Sequence, residues 1–136
     1  MRVLALDHGS ARCGCALSDP TGTIATPIEP VLRPDTRRGI GRLRALVAEH
    51  GVERVIVGLP LSLSGEDSDQ TREARAFAAR LADTLDVPVE LYDERFTTTL
   101  AQRAGGSASE DSRAAAVLLE DWLARGGETV GPNGET

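Results

Sequence analysis

The chain contains no lysine: all fifteen of its basic residues are arginine, against twenty-one acidic residues in 136. The resulting net charge of −6 argues against a generic nucleic-acid binder, which carries a basic excess. No apolar run is long enough to span a bilayer, and no basic, apolar, small-residue leader opens the chain. Membrane insertion and secretion are therefore not expected, and a cytoplasmic location is. Cysteine is scarce. Cys13 and Cys15 are too close in sequence for an unstrained disulfide and lack the spacing of a zinc site, so they read as two small buried residues on one face of a strand. There is no internal repeat. The length suits one domain with a single core, which a 40% hydrophobic content can supply.

Two apolar runs, Val3 to Leu6 and Cys13 to Leu17, flank a polar break containing Gly9, and the first ends on Asp7. That pattern predicts a β-hairpin with Asp7 at its mouth. Gly22 to Pro27 reads as a β-branched edge strand closed by proline, completing a three-stranded antiparallel meander before a loop with Pro30 and Pro34. Thr36 to His50 has one apolar face at helical spacing and Gly51 just beyond its last turn. Val55 to Val57 is a strand covered on both sides, Leu59 to Asp69 a loop, and Asp69 to Leu85 a second amphipathic helix. Val87 to Tyr92 is the fifth strand. Right-handed crossovers then pair strands one, four and five in parallel, giving an α/β chain with a mixed five-stranded sheet. A Gly-Gly-Ser break at Gly105 to Ser107 precedes a capping box, Ser107 with Glu110, and a last helix from Asp111 to Arg125. In that helix Asp111, Ala114, Ala115, Leu118 and Trp122 fall on one face. Gly126 to Thr136 has little to bury and is expected to be disordered, leaving residues 1–125 as the domain.

Ligands of such sheets sit beyond the carboxyl ends of the parallel strands. Asp7, Glu94 and Asp111 are expected to converge there, and unpaired carboxylates at close range raise one another's pKa values. A divalent cation resolves that conflict, and an oxygen-only donor set favours Mg²⁺ or Mn²⁺ over zinc. Such ions can activate a water and stabilise the leaving oxygen of a phosphodiester. Simpler readings stand beside this one: Asp7 shaping its turn, Asp111 complementing a helix dipole, or Arg12 and Arg95 pairing with the acids in an ion-pair network. The cluster Arg33, Arg37, Arg38, Arg42 and Arg44 is either a phosphate-facing patch or a solvated helix face.

Four segments carry a resemblance. They are Leu4-Ala5-Leu6-Asp7-His8-Gly9 through Arg12-Cys13-Gly14-Cys15-Ala16-Leu17-Ser18-Asp19; Val57-Gly58-Leu59-Pro60-Leu61 through Gly65; Asp93-Glu94-Arg95-Phe96-Thr97-Thr98; and Asp111-Ser112-Arg113-Ala114-Ala115-Ala116-Val117-Leu118-Leu119. In this order they resemble the YqgF/RuvX family over nearly the whole chain outside the tail. The resemblance implies an RNase H-like fold and a metal-dependent nuclease acting on structured nucleic acid. It also implies maturation of the 16S rRNA 5′ end as the task. The assembling small ribosomal subunit is an expected partner, and a monomer or homodimer is the expected state. By the same resemblance Asp7, Glu94 and Asp111 bind Mg²⁺ or Mn²⁺ and are catalytic. Arg12 and Arg95 contact phosphate or orient the carboxylates, and Gly9 lets the backbone approach the substrate.

Alternatives are resolution of Holliday junctions in DNA recombination and repair, or a non-catalytic nucleic-acid-binding module. An Asp-x-Gly hairpin also opens sugar-kinase and actin-like ATPases, but those close two such domains around a nucleotide and this chain has room for one. Compared with the family pattern, the stretch between Thr98 and Asp111 is short, with Arg103 as its one basic residue, and position 11 is alanine rather than lysine. Both departures are expected to weaken RNA binding or to shift it onto the Arg33 to Arg44 stretch.

Overall fold

In the computed structural model the described residues are 1–60, 68–93 and 110–126. They form, in chain order, β1 (Val3–Asp7), β2 (Arg12–Ser18), β3 (Ala25–Leu32), α1 (Arg37–His50), β4 (Arg54–Leu59), α2 (Asp69–Thr84), β5 (Val89–Asp93) and α3 (Glu110–Ala124). The five strands make one sheet in the order β3-β2-β1-β4-β5. The first three form the antiparallel meander, while β1 with β4 and β4 with β5 are parallel. The mixed α/β sheet expected from the sequence is the one found.

Strand alternation divides the interior in two. From β1, Leu4 and Leu6 point into a core shared with Cys13, Cys15, Val55 and Val57 of the sheet, Leu43 and Leu46 of α1, and Phe77 and Leu81 of α2. Val3 and Ala5 point the other way, onto α3, where Ala16, Ile56, Ala115, Ala116, Leu119 and Trp122 fill the second layer. The paired alanines bring α3 close to the centre of the sheet, because neither side presents a bulky side chain there. β1 and β4 are thus covered on both faces, as their near-continuous apolar sequences predict. No helix among the described residues is long and apolar enough to cross a membrane.

Several boundaries differ from expectation. β3 begins at Ala25 and runs to Leu32 rather than lying within Gly22 to Pro27, so Pro30 is inside the strand and not in the following loop. An edge strand tolerates this because one side of its backbone needs no donor, and the register beside Pro30 is irregular. Cys13 faces Val31 but Cys15 faces Ile28, so a step of two residues on β2 meets three on β3, a bulge at Glu29 and Pro30. β4 is longer than Val55 to Val57, β5 starts at Val89 rather than Val87, and α3 includes Glu110.

The apolar stripe of α3 is also rotated. Ala114 is only half-buried, whereas Ser112 is buried. Thr36 caps α1 through Gly39 N–H, and Gly51, at φ 61°, ends it in the left-handed conformation. Ser68 caps α2 in the same way through Thr71 N–H. The Gly105–Ser107 break, the Ser107 end of the capping box, most of the loop after Leu59 and the tail beyond Gly126 lie outside the described residues.

Candidate active site

Asp7 is the last residue of the central strand, paired across β2 with Gly14 and one step beyond the Leu6–Val57 pairing with β4. Alternation from Val3 and Ala5 puts it on the α3 side of the sheet, and it is half-buried. This is the boundary between the antiparallel and parallel halves, at the carboxyl end of the parallel strands, where sheets of this kind take their ligands. β5 ends at the same level: Leu59 of β4 pairs with Asp93, which is half-buried.

The first turn of α3 is fastened next to Asp7 by a contact that the spacing pattern did not single out. The buried Ser112 hydroxyl accepts from Cys15 N–H at 3.3 Å and donates to Ile28 C=O at 2.6 Å. Cys15 and Ile28 are themselves cross-strand partners, so the hydroxyl is spliced into the β2–β3 ladder where the bulge interrupts it. Cys15 is in turn the partner of Leu6, the residue before Asp7. The backbone of Asp111 is therefore held within a residue of this splice. Farther along α3, Tyr92 donates to Asp121, which also accepts from Arg125 Nε at 3.1 Å. Burial, and then the neighbouring Asp121 carboxylate, push the Tyr92 phenol well above its ordinary range.

The loop after Asp7 is fixed from the other face. The His8 side chain is 3% exposed, its Nε2 lies 2.9 Å from Asp35 Oδ2, and its ring packs on Phe77 with centroids 4.5 Å apart. Arg80 donates to the Asp35 carbonyl oxygen, tying α2 into the same knot. The turn itself needs Gly9: a Cβ there would stand 2.7 Å from the Arg12 carbonyl oxygen. Arg12 is exposed at the start of β2, at the Asp7 end of the sheet.

Cys13 and Cys15 are free and buried, as the sequence suggested. The Cys13 thiol is pushed well up by its hydrogen bond with Cys15 and by burial, with the Asp7 and Asp35 charges adding to the effect, which keeps it protonated and unreactive.

Of the residues singled out from sequence, Asp7, Gly9 and Arg12 are thus brought to one end of the sheet, with the α3 backbone at Asp111 beside them. Glu94 and Arg95 lie outside the described residues, as does the Asp111 side chain; β5 ends one residue before Glu94. Among the described residues no three histidine, cysteine, aspartate or glutamate side chains form a metal-binding group. His8 and Ser112 are the positions that sequence reasoning missed. Their partners are 27 and 97 residues away, and no local spacing signals either.

Comparison with known proteins agrees with this architecture. The family described as "RuvX: Holliday junction resolvase" matches residues 1–125. A relative in Clavibacter michiganensis subsp. michiganensis, named as a candidate pre-16S rRNA nuclease, is 44% identical over 130 residues, covering 88% of this chain and 81% of its own. One of the same name in Maridesulfovibrio salexigens is 38% identical over 134 residues, covering 92% and 99%. Among solved structures, RuvC of Thermus thermophilus superposes with a TM-score of 0.55 at 17% identity over 95% of this chain and 99% of that one. The same protein in complex with a Holliday junction substrate gives 0.54 at 14% identity over 95% and 98%. The RuvC likeness establishes the RNase H-like fold, and on the match to residues 1–125 and the identities above, the chain belongs to the RuvX family of nucleases.

Proposed function

We propose that residues 1–125 are a metal-dependent nuclease domain that processes the 5′ end of pre-16S rRNA in the cytoplasm. The observation that carries the reading is the position of Asp7, a half-buried carboxylate ending the central strand beside the pinned first turn of the helix that bears Asp111. A carboxylate in that place is a fitting oxygen donor for Mg²⁺ or Mn²⁺, and Glu94 and Asp111 complete the set. When bound, such an ion supplies Lewis acidity and a water acidified toward neutral pH. The residues of the chain do the rest. Asp7, Glu94 and Asp111 would hold the ion, Gly9 closes the turn that follows Asp7, and Arg12 and Arg95 would contact the scissile phosphate or steady the carboxylates.

The relatives' names favour precursor rRNA as substrate; in this proposal the assembling small subunit presents it. The family's description and the RuvC fold favour a second substrate, the four-way DNA junction. Cleavage of a 5′-extended 16S rRNA precursor and of a four-way junction, with Mn²⁺, Mg²⁺ or EDTA, separates the two. Metal-dependent cutting of the RNA that disappears in Asp7→Asn, while the variant keeps its circular dichroism spectrum and unfolding midpoint, is the expected result. Undiminished cutting by Asp7→Asn in a clean preparation removes Asp7 from the mechanism. Selective cutting of the junction transfers the activity to recombination.

A further inference from the structure

The arginine-rich stretch is not one surface. On α1, Arg37 and Arg44 lie along one flank of the helix, while Arg38 and Arg42, one turn apart, lie along the other and line a groove of about 470 Å³ between α1 and the Glu29–Leu32 end of β3. Arg38 and Arg42 are both exposed, and Arg38 has no acidic partner among the described residues. Their Cα atoms are separated by about 6 Å along the helix axis, comparable with the spacing of neighbouring phosphates on one strand. The β3 side of the groove is lined by Glu29, Pro30, the buried Val31 and the exposed Leu32, so it is mostly apolar.

The Leu32 end of the groove lies at the same end of the sheet as Asp7, on the α1 face, whereas the Asp7 carboxylate faces α3. Arg12 pairs with Leu32 in the β2–β3 register, and Arg33 N–H donates to Ala11 C=O at 2.9 Å. Arg33 is also the one non-glycine residue with positive φ, 47°, among the described residues. Its backbone is clamped. Its carbonyl accepts from Thr36 N–H at 3.1 Å and from the Thr36 hydroxyl at 2.7 Å, and Gly39 is packed so hard on it that a Cβ there would sit 2.2 Å from the Arg33 oxygen. Glycine is the ordinary occupant of such a conformation. Arg33 directly follows Leu32, which lines the groove, so this clamped, positive-φ arginine stands at that end of it, and its unfavourable conformation is the kind that accompanies a functional side chain.

We propose that Arg12, Arg33, Arg38 and Arg42 form a track for the phosphate backbone of the substrate strand, which passes from Asp7 around the Arg12 end of the sheet and along the groove between β3 and α1 on the other face. Guanidinium forks bind successive phosphates, and the apolar wall lies where sugar and base edges pass. The track gives a chain of net charge −6 a localised positive lane, and Glu29 and Glu49, the latter 3.6 Å from Arg42, limit its width. The assignment rests on the nuclease reading above.

Fluorescence anisotropy of a labelled 5′-extended 16S precursor fragment in EDTA, beside a labelled four-way junction and over a range of salt, tests it. Arg38→Gln with Arg42→Gln is expected to weaken binding roughly ten-fold and to lower the slope of log affinity against log salt by about 0.7–0.9 for each contact removed. Arg33→Gly, which suits the backbone conformation and so spares the fold, is expected to lower the slope by one such step. Glu29→Gln should tighten binding, and Arg44→Gln, on the other flank of the same helix, should leave the slope unchanged.

Equal losses in Arg44→Gln and the double variant would show a net-charge effect and overturn the track. Wild-type affinity and slope in the double variant, with Asp7-dependent cleavage intact, would overturn the track alone. Absence of any binding or cleavage by the wild type would overturn the track together with the nuclease reading.

Discussion

Replacing Ser112 by alanine tests whether the first turn of α3 is fastened as described. The hydroxyl satisfies two backbone groups at once, Cys15 N–H at 3.3 Å and Ile28 C=O at 2.6 Å, at the point where the β2–β3 register shifts. Without it both groups are left in a buried layer, since Ser112 is 1% exposed and Cys15 fully buried. Each buried group left without a partner costs about 1–3 kcal/mol, and part of that is offset because alanine brings no polar atom of its own to desolvate. The expected net loss is about 2–3 kcal/mol. A domain of this size unfolds close to two-state, and each kcal/mol lowers its Tm by about 3–5 °C, so the variant should melt roughly 6–15 °C lower. Urea and thermal unfolding followed by far-ultraviolet circular dichroism measure both quantities. Because Asp111 is the preceding residue, cleavage should fall by more than the loss of folded protein accounts for. A loss below about 0.5 kcal/mol would mean that β2 and β3 close up and pair directly, and would refute the splice.

Two glycines three and five residues after the Thr36 cap should respond in opposite directions to the same change. Gly41 has open space where a Cβ would go, so Gly41→Ala should stabilise by about 0.5–1 kcal/mol through helix propensity. Gly39→Ala would place a Cβ 2.2 Å from the Arg33 oxygen and 2.7 Å from Pro34 Cα, both backbone atoms, and should cost about 2–4 kcal/mol. Equal effects in urea titrations would show that the residue 33–36 turn does not press on α1. Asp19, in the β2–β3 turn, accepts from the Thr21 hydroxyl and from the backbone N–H groups of Ile24 and Thr23, at 2.8 and 2.7 Å. Those bonds, the Thr21 hydroxyl first, hold its carboxyl well below the usual carboxylate range. A pKa depressed on folding contributes stability that is present above the unfolded value, about 4, and lost as pH falls toward the lower folded one. The stability advantage of wild type over Asp19→Asn should therefore shrink below about pH 4; an advantage unchanged across that range would show that the carboxylate is not held by these bonds.

What the sequence made legible was whatever a local period encodes. The continuous apolar run at Val55 to Val57 announces a strand covered on both faces, and the strand–helix alternation dictates parallel neighbours and so puts Asp7 at the carboxyl end of the parallel strands. The errors share a different origin. Ending β3 at Pro27 treats proline as a stop, yet an edge strand with a bulge accommodates Pro30, because the interrupted ladder there is completed by a third element. That element is Ser112, which reads from spacing as a neighbour of the apolar stripe and is in fact its buried anchor. His8 is the same case: within its own segment it is a polar residue in a turn, and only the distant Asp35 and Phe77 make it a buried brace behind Asp7. The two residues bracket the site from opposite faces, His8 from the α1–α2 side and Ser112 from the α3 side. Asp7 can be singled out from chain order because an acid at a strand end carries a chemical meaning by itself. The side chains that brace the backbone around it, His8 and Ser112, have none until the tertiary contacts exist, so they stay hidden in any reading that sees one segment at a time.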